Sequence, residues 1–241
     1  MKWFLTVLCF CACLFGNYLQ AEALCQQSIN QYLETSFEPL FVSLGSTCGP
    51  ATAMRSAGVR KAAFPLDWMF SFDGDKIIEM LDTDFAYFTN PRHLKPFVNG
   101  LILNTQYRLE FAHDGIWTKE NFNQNFQGFQ KKYQRRIERF RKLRQYHGKI
   151  YFVRCAWYLS THRNYAFSSP GNLEISEEYA KRLYAALQRY FPQVDIYLVI
   201  RNNPQKNESS SSKLLGKILI LKDTNYDFND MLQTFAQGLS A

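Results

Sequence analysis

Apolar positions along the chain recur with two periods. Phe41, Val42 and Leu44, then Ile150 to Cys155, then Val194 to Ile200 form short, mostly apolar runs, the pattern of strands buried on both faces. Leu101 to Asn104, Tyr107 to Ala112 and Leu214 to Leu221 read as three more strands. Between these runs the spacing changes to three and four. Ala51, Met54, Ala57 and Val59 follow the first strand at helical spacing, Asp75 to Leu81 predicts a short helix, and Ser176 to Tyr190 predicts a longer amphipathic one. Phe122, Phe126, Phe129, Tyr133, Ile137, Phe140 and Leu143 form one aromatic stripe within a long helix from Lys119 to Tyr146, and a last helix begins at Asn229.

Two stretches lack either period. Thr89 to Gly100 is irregular and rich in Pro and Asn, and Asn202 to Lys213, with four consecutive serines, predicts a polar surface loop. Helices and strands alternate through most of the order. That alternation predicts an α/β fold, a mixed sheet with helices packed on it in a single layered domain, and a site at the carboxyl ends of its strands.

With 46% hydrophobic and 16% aromatic residues, the 241-residue chain has ample material for a packed core. Its first 23 residues have another explanation. Lys2, the apolar run Trp3 to Phe15 and the small-residue site Ala21-Glu22-Ala23 match a signal peptide, leaving residues 24–241 as the mature domain, secreted or periplasmic. Cys9, Cys11 and Cys13 would leave with that segment, and Cys25, Cys48 and Cys155 would remain. One outcome in an oxidising compartment joins Cys25 to Cys155 and leaves Cys48 as a thiol. No cysteine or histidine cluster has metal-ligand spacing, and no phosphate-binding or dinucleotide-binding glycine motif occurs, so no metal or organic cofactor is called for.

The charge is concentrated in one place. Lys131, Lys132, Arg135, Arg136, Arg139, Arg141, Lys142 and Arg144 are opposed within their stretch by Glu138 alone, which accounts for the whole formal charge of +7. Such a run is commonly the wet face of a helix; as a contact it would suit an anionic envelope component, approached through Lys131, Lys132, Arg135, Arg136 and Arg139. Nothing else in the chain has the pattern of a nucleic-acid module.

The chemistry centres on FVSLGSTC, residues 41 to 48. A buried strand runs into Gly45, which permits a sharp reversal, and then into a helix whose first turn contains Cys48 and Pro50, with Ser46 or Thr47 as N-cap. Free N–H groups and the helix dipole favour a thiolate there and could hold an oxyanion. The alternative role for Cys48 is a small buried apolar residue.

The run from Ser43 to Ser71 resembles the opening signature of a domain-of-unknown-function family described as papain-like cysteine peptidases, with an SLG-x-x-C turn followed by a P-F-D-W element, here PLDW from Pro65 to Trp68. FAHDG, containing His113 and Asp114, and the section from Tyr133 to Arg154 resemble the same family. The resemblance implies a thiol-hydrolase site, and offers an α+β papain-like fold as the alternative architecture. His113 matches the family's histidine and becomes the expected base, with His162 second; His93 and His147 lie in an irregular section and at a helix end. Asp67 is the expected orienting carboxylate, ahead of Asp114.

The expected reaction is hydrolysis of an amide or peptide bond through a Cys48–His113 pair. Two other readings use the same residues differently. One is a non-catalytic secreted protein that binds an anionic glycan or envelope polyanion; the other is a transferase in which Arg154 and the basic helix clamp the substrate.

Overall fold

The apolar runs fold as strands that are buried on both faces. In the computed structural model, which describes residues 27–97, 100–115, 117–118, 120–156, 176–202, 211–222 and 227–238, helical residues 27–35 (α1) lead into β1 (Leu40–Ser43), α2 (Gly49–Ser56) and α3 (Gly74–Asp82). Three short strands follow, β2 (Leu94–Pro96), β3 (Ile102–Asn104) and β4 (Leu109–Phe111), then the long α4 (Phe122–Lys142). The chain continues through β5 (Ile150–Ala156), α5 (Glu177–Tyr190), β6 (Ile196–Asn202), β7 (Ser211–Leu215), β8 (Ile218–Lys222) and α6 (Phe228–Gly238).

The main sheet has the order β1-β5-β6-β8-β7. The pairs β1/β5, β5/β6 and β6/β8 are parallel, and β7 closes one edge antiparallel to β8. A smaller antiparallel sheet, β2-β3-β4, lies beside it. The fold is therefore mixed α/β.

Side-chain alternation along each strand sorts the core into two layers. Leu40, Val42, Ile150, Phe152, Ile196, Leu198 and Ile200 pack with the buried stripes of α4 (Phe129, Tyr133, Ile137, Phe140) and α5 (Ala180, Leu183, Ala186, Leu187). Phe41, Tyr151, Val153, Tyr197, Val199 and Leu219 point the other way, onto Met54 of α2 and Met231 and Phe235 of α6. Parallel strands covered by helices on both faces have no wet face, which explains why their sequences read as largely apolar runs.

Three expectations need correction. Leu214 to Leu221 is a hairpin: Gly216, at φ 61°, and Lys217 turn β7 back into β8, the Gly-x connection that reverses two strands tightly. Ser211 to Lys213 belong to β7 and Asn202 to β6, while residues 203–210 between them lie outside the described set. Arg139, expected on the wet face of α4, is buried, because its guanidinium turns inward to donate to the carbonyl of Ala63.

Other basic residues of the same helix end are paired within the molecule. Lys142 meets Glu34, and Arg141 and Arg144 both reach Asp84. Tyr190 of α5 donates to the Asp84 carboxylate as well. Partial burial opposes ionisation of Asp84, but the hydrogen bonds from Tyr190 and Arg141 outweigh it and hold the carboxyl below its ordinary value of 3.8.

A depressed folded-state value means that stability from this contact is complete above 3.8 and is lost as pH falls through the lower folded value. In urea titrations from neutral to acid pH, Asp84→Asn should differ most from wild type near neutrality, and the gap should close in acid. A gap independent of pH would show that the Asp84 charge does not stabilise the fold.

Candidate active site

The loop that presents Cys48 leaves the carboxyl end of β1. Leu44 is still bonded to the sheet through the carbonyl of Val153 (2.8 Å), and the Gly45 carbonyl accepts from the Cys155 N–H (3.2 Å). The chain then reverses through two left-handed residues, Gly45 at φ 71° and Ser46 at φ 80°. A Cβ at Gly45 would lie 2.7 Å from Ser71 Oγ and 3.0 Å from the Leu66 carbonyl oxygen, so glycine is required by space as well as by φ.

Ser71 holds the other side of the loop. Ser46 N–H donates to Ser71 Oγ (2.9 Å), and Ser71 N–H donates to the Ser46 carbonyl (3.1 Å). Arg154, on β5 and only 1% exposed, fixes both strands of this contact. Its Nη1 donates to the Leu44 carbonyl (2.8 Å) and to Ser71 Oγ (3.4 Å), and its Nη2 donates to the Ser71 carbonyl (2.6 Å). Enclosed and bonded in this way, Arg154 is a scaffold residue and is not positioned as a substrate clamp.

Cys48 is partly exposed and forms the N-cap of α2, one position earlier than expected. Neither Ser46 nor Thr47 caps the helix; Thr47 Oγ1 instead accepts from Gly49 N–H at 3.1 Å. The thiol still lies at the positive end of the helix. The Gly45 and Ser46 N–H groups are already committed to Ser43 Oγ and Ser71 Oγ. Of the N–H donors between Gly45 and Cys48, those of Thr47 and Cys48 make no such bond among the described residues.

The other two expected residues lie around Trp68. Phe70 pairs with Glu110 of β4 through two backbone bonds of 2.9 Å, which brings the turn after β4 alongside the Asp67-Trp68 turn. His113, on that turn, is exposed and meets the Trp68 ring edge-on, centroids 5.7 Å apart. Asp67 is buried; its Oδ2 accepts from Arg60 Nη2 (2.6 Å), Arg60 Nε (3.2 Å) and Phe64 N–H (3.1 Å). Burial pushes the Asp67 carboxyl up, against the opposing pull of Arg60.

The structure thus brings His113 and Asp67 to one ring, with no hydrogen bond between them and none from His113 to Cys48 among the described residues. Asp114 has a different use. It is bound by Lys132 and by the Tyr133 hydroxyl (2.7 Å), which anchors the His113 turn to α4. Burial first, and Asp114 second, drive the Tyr133 hydroxyl well above its ordinary value. His93 packs edge-on against Tyr87 and His147 stacks on Phe37. His162, Cys25 and the expected signal segment lie outside the described residues.

Sequence reasoning missed the Ser71 contact, the scaffold role of Arg154, and the two arginines at Trp68: the guanidinium carbons of Arg55 and Arg60 lie 5.3 and 5.5 Å from its centroid. An arginine inside an otherwise apolar strand was the available signal for Arg154. Such a residue must find buried acceptors.

The family model described as "Putative papain-like cysteine peptidase (DUF1796)" matches residues 39–166, more than half of the chain. The chain belongs to this family. No curated protein and no solved structure matches it. The matched span of this papain-like peptidase family runs from β1 through β5 and takes in Cys48, Asp67, His113 and Arg154. Among the described residues, no group of three or more His, Cys, Asp or Glu side chains gathers as a metal site, and no helix is long and apolar enough to cross a membrane.

Gly45 and Gly58 share a φ of 71°, but a Cβ at Gly58 would meet nothing within 4 Å. Gly58→Ala should therefore carry only the left-handed strain of about 1–2 kcal/mol. Gly45→Ala should add overpacking of about 1–3 kcal/mol. Urea unfolding of the two variants measures the difference; equal losses would mean that the Ser71 contact yields freely.

Proposed function

We propose that the chain is an exported cysteine hydrolase that cleaves an amide or peptide bond, with Cys48 as nucleophile and His113 as base. The observation that carries this reading is the placement of Cys48: a partly exposed thiol at the positive end of α2, at the carboxyl edge of a parallel sheet, on a loop fixed by Ser71 and Arg154. Family membership supports the same class of chemistry. The signal-like N-terminus supports export.

In this mechanism the Cys48 sulfur bonds to the substrate carbonyl carbon while the carbonyl oxygen becomes an oxyanion facing Thr47 and Cys48 N–H. The C–N bond then breaks, and the departing nitrogen takes a proton from the imidazolium of His113. Water, deprotonated by the same imidazole, attacks the thioester, releases the acid and restores the thiol. His113 suits this exchange because it is exposed and its turn is tied to the Cys48 loop through two bonded pairs, Glu110 with Phe70 and Ser71 with Ser46. Asp67 acts through the turn: it holds Arg60 and the Phe64 N–H, which fixes Trp68 as the surface against which the imidazole packs.

Iodoacetamide labelling of Cys48 in the folded protein, followed by peptide mass spectrometry across pH, tests the proposal. Labelling should have a midpoint well below the ordinary thiol value of about 8.5, and the midpoint should rise in His113→Ala. That variant should also lose about 10²–10⁴-fold in hydrolysis of an activated amide. Slow labelling with no response to His113 would overturn the mechanism and leave a binding role.

A further inference from the structure

Cations from α2 and α4 lie near the Asp67-Trp68 turn and the turn after β4, and the hydrolytic mechanism leaves Arg55 and Arg136 unused. Arg55 leaves α2 two turns after Cys48, is exposed, and lies over the Trp68 ring. Arg60 lies over that ring too, but Asp67 neutralises it. Across the cluster, Lys132 is taken by Asp114. Arg136, one helical turn further along α4, has its guanidinium carbon 5.1 Å from the Tyr133 ring, and its buried Nη1 has no hydrogen-bond partner. It is close enough to Asp67 and to Tyr133 to act on the charge of both.

Arg55 and Arg60 therefore lie at Trp68, and Lys132 and Arg136 at the Asp114–Tyr133 pair that anchors the His113 turn; Asp67 and Asp114 each bind one of these cations. Arg55 and Arg136 are left without a carboxylate among the described residues. Elsewhere in the molecule the arginines at positions 108, 141, 144, 182 and 189 all meet an aspartate. A buried guanidinium N–H with no acceptor loses its hydration without return, so the Arg136 position gains from an oxyanion supplied from outside. The flat face of Trp68 and the planar fork of arginine together suit such a group.

We propose that Arg55 and Arg136, around Trp68 and His113, bind an anionic group of the substrate, a carboxylate or a phosphate. In assigning that anion to a substrate the proposal rests on the hydrolase reading; anion binding itself does not depend on it. Bound there, the substrate is held on the helix that carries Cys48 and beside the imidazole that serves it. Arg55 and Arg136 are then specificity determinants of the reaction.

The test is titration of the full folded protein with inorganic phosphate and, separately, with succinate, at constant ionic strength set with chloride. Binding is read by tryptophan fluorescence with Trp68→Phe as the blank, and by calorimetry. Saturable binding of either anion is expected, weakened about tenfold or more in Arg55→Gln and in Arg136→Gln, and partly kept in Arg136→Lys. Response to phosphate alone points to a phosphorylated substrate, and response to succinate alone to a carboxylated one; either supports the site.

Arg55 is exposed, so Arg55→Gln keeps the test valid if Arg136→Gln folds poorly. Absence of saturable binding, or binding unchanged in Arg55→Gln, overturns the proposal. Cys48→Ala must bind the anions as wild type does. If it does while Cys48 proves inert to iodoacetamide, the anion site stands and the hydrolase reading falls; a reactive Cys48 with no anion response gives the reverse.

Discussion

The site depends on a buried cation placed where the sheet ends. Arg154 is fully enclosed, and a guanidinium taken from water into such surroundings must be matched by acceptors or it destabilises the fold by several kcal/mol. Its acceptors here are the carbonyls of Leu44 and Ser71 and the hydroxyl of Ser71. Those groups belong to two segments that would otherwise share only the short contact between Ser46 and Ser71. One side chain thus positions the exit of β1, the reversal at Gly45 and Ser46, and through them the thiol at the head of α2.

The basic stretch of α4 illustrates how charge read from sequence differs from charge presented at a surface. Lys132 is held by Asp114, Arg139 by the Ala63 carbonyl, Lys142 by Glu34, and Arg141 and Arg144 by Asp84. These contacts join α4 to the turn after β4, to the segment before Pro65, to α1 and to the turn after α3. The exposed pairs among them, of Lys142 with Glu34 and of Arg141 and Arg144 with Asp84, contribute little each. Their common effect is to leave less of the run free for an outside partner than its composition suggests.

Much of the architecture was legible because its cause is local. Strands covered on both faces are apolar along most of their length, so β5 and β6 announced themselves, and the stripe from Phe129 to Phe140 marked the inner face of a long helix. Cys48 was legible for the same reason: a strand, a glycine turn and a proline follow one another in a few residues. The hairpin at Gly216 was hidden because apolar residues flank it closely on both sides, and α1 because only Ile29, Tyr32 and Leu33 of it face the core. The cap fell on Cys48 because Thr47 turned its hydroxyl to Gly49. What periodicity could not give was the partner of each polar group, since Asp67 with Arg60, Asp114 with Tyr133 and Arg154 with Ser71 are joined across the fold.

The Cys48 loop leaves an edge strand. Among the described residues β1 has a sheet neighbour on one side only, β5, and the Cys48 loop is closed on its other side by the irregular segment around Ser71. The two walls of the site therefore belong to units of unequal cooperativity. The β5 wall opens only with the central sheet, whereas the Ser71 wall, outside any strand, can open by sub-global fluctuation while the sheet stays intact. Loss of the Cys48 loop geometry and loss of the fold are thus separate events in this molecule, with different protection of the Ser46 and Leu44 amides from exchange with solvent.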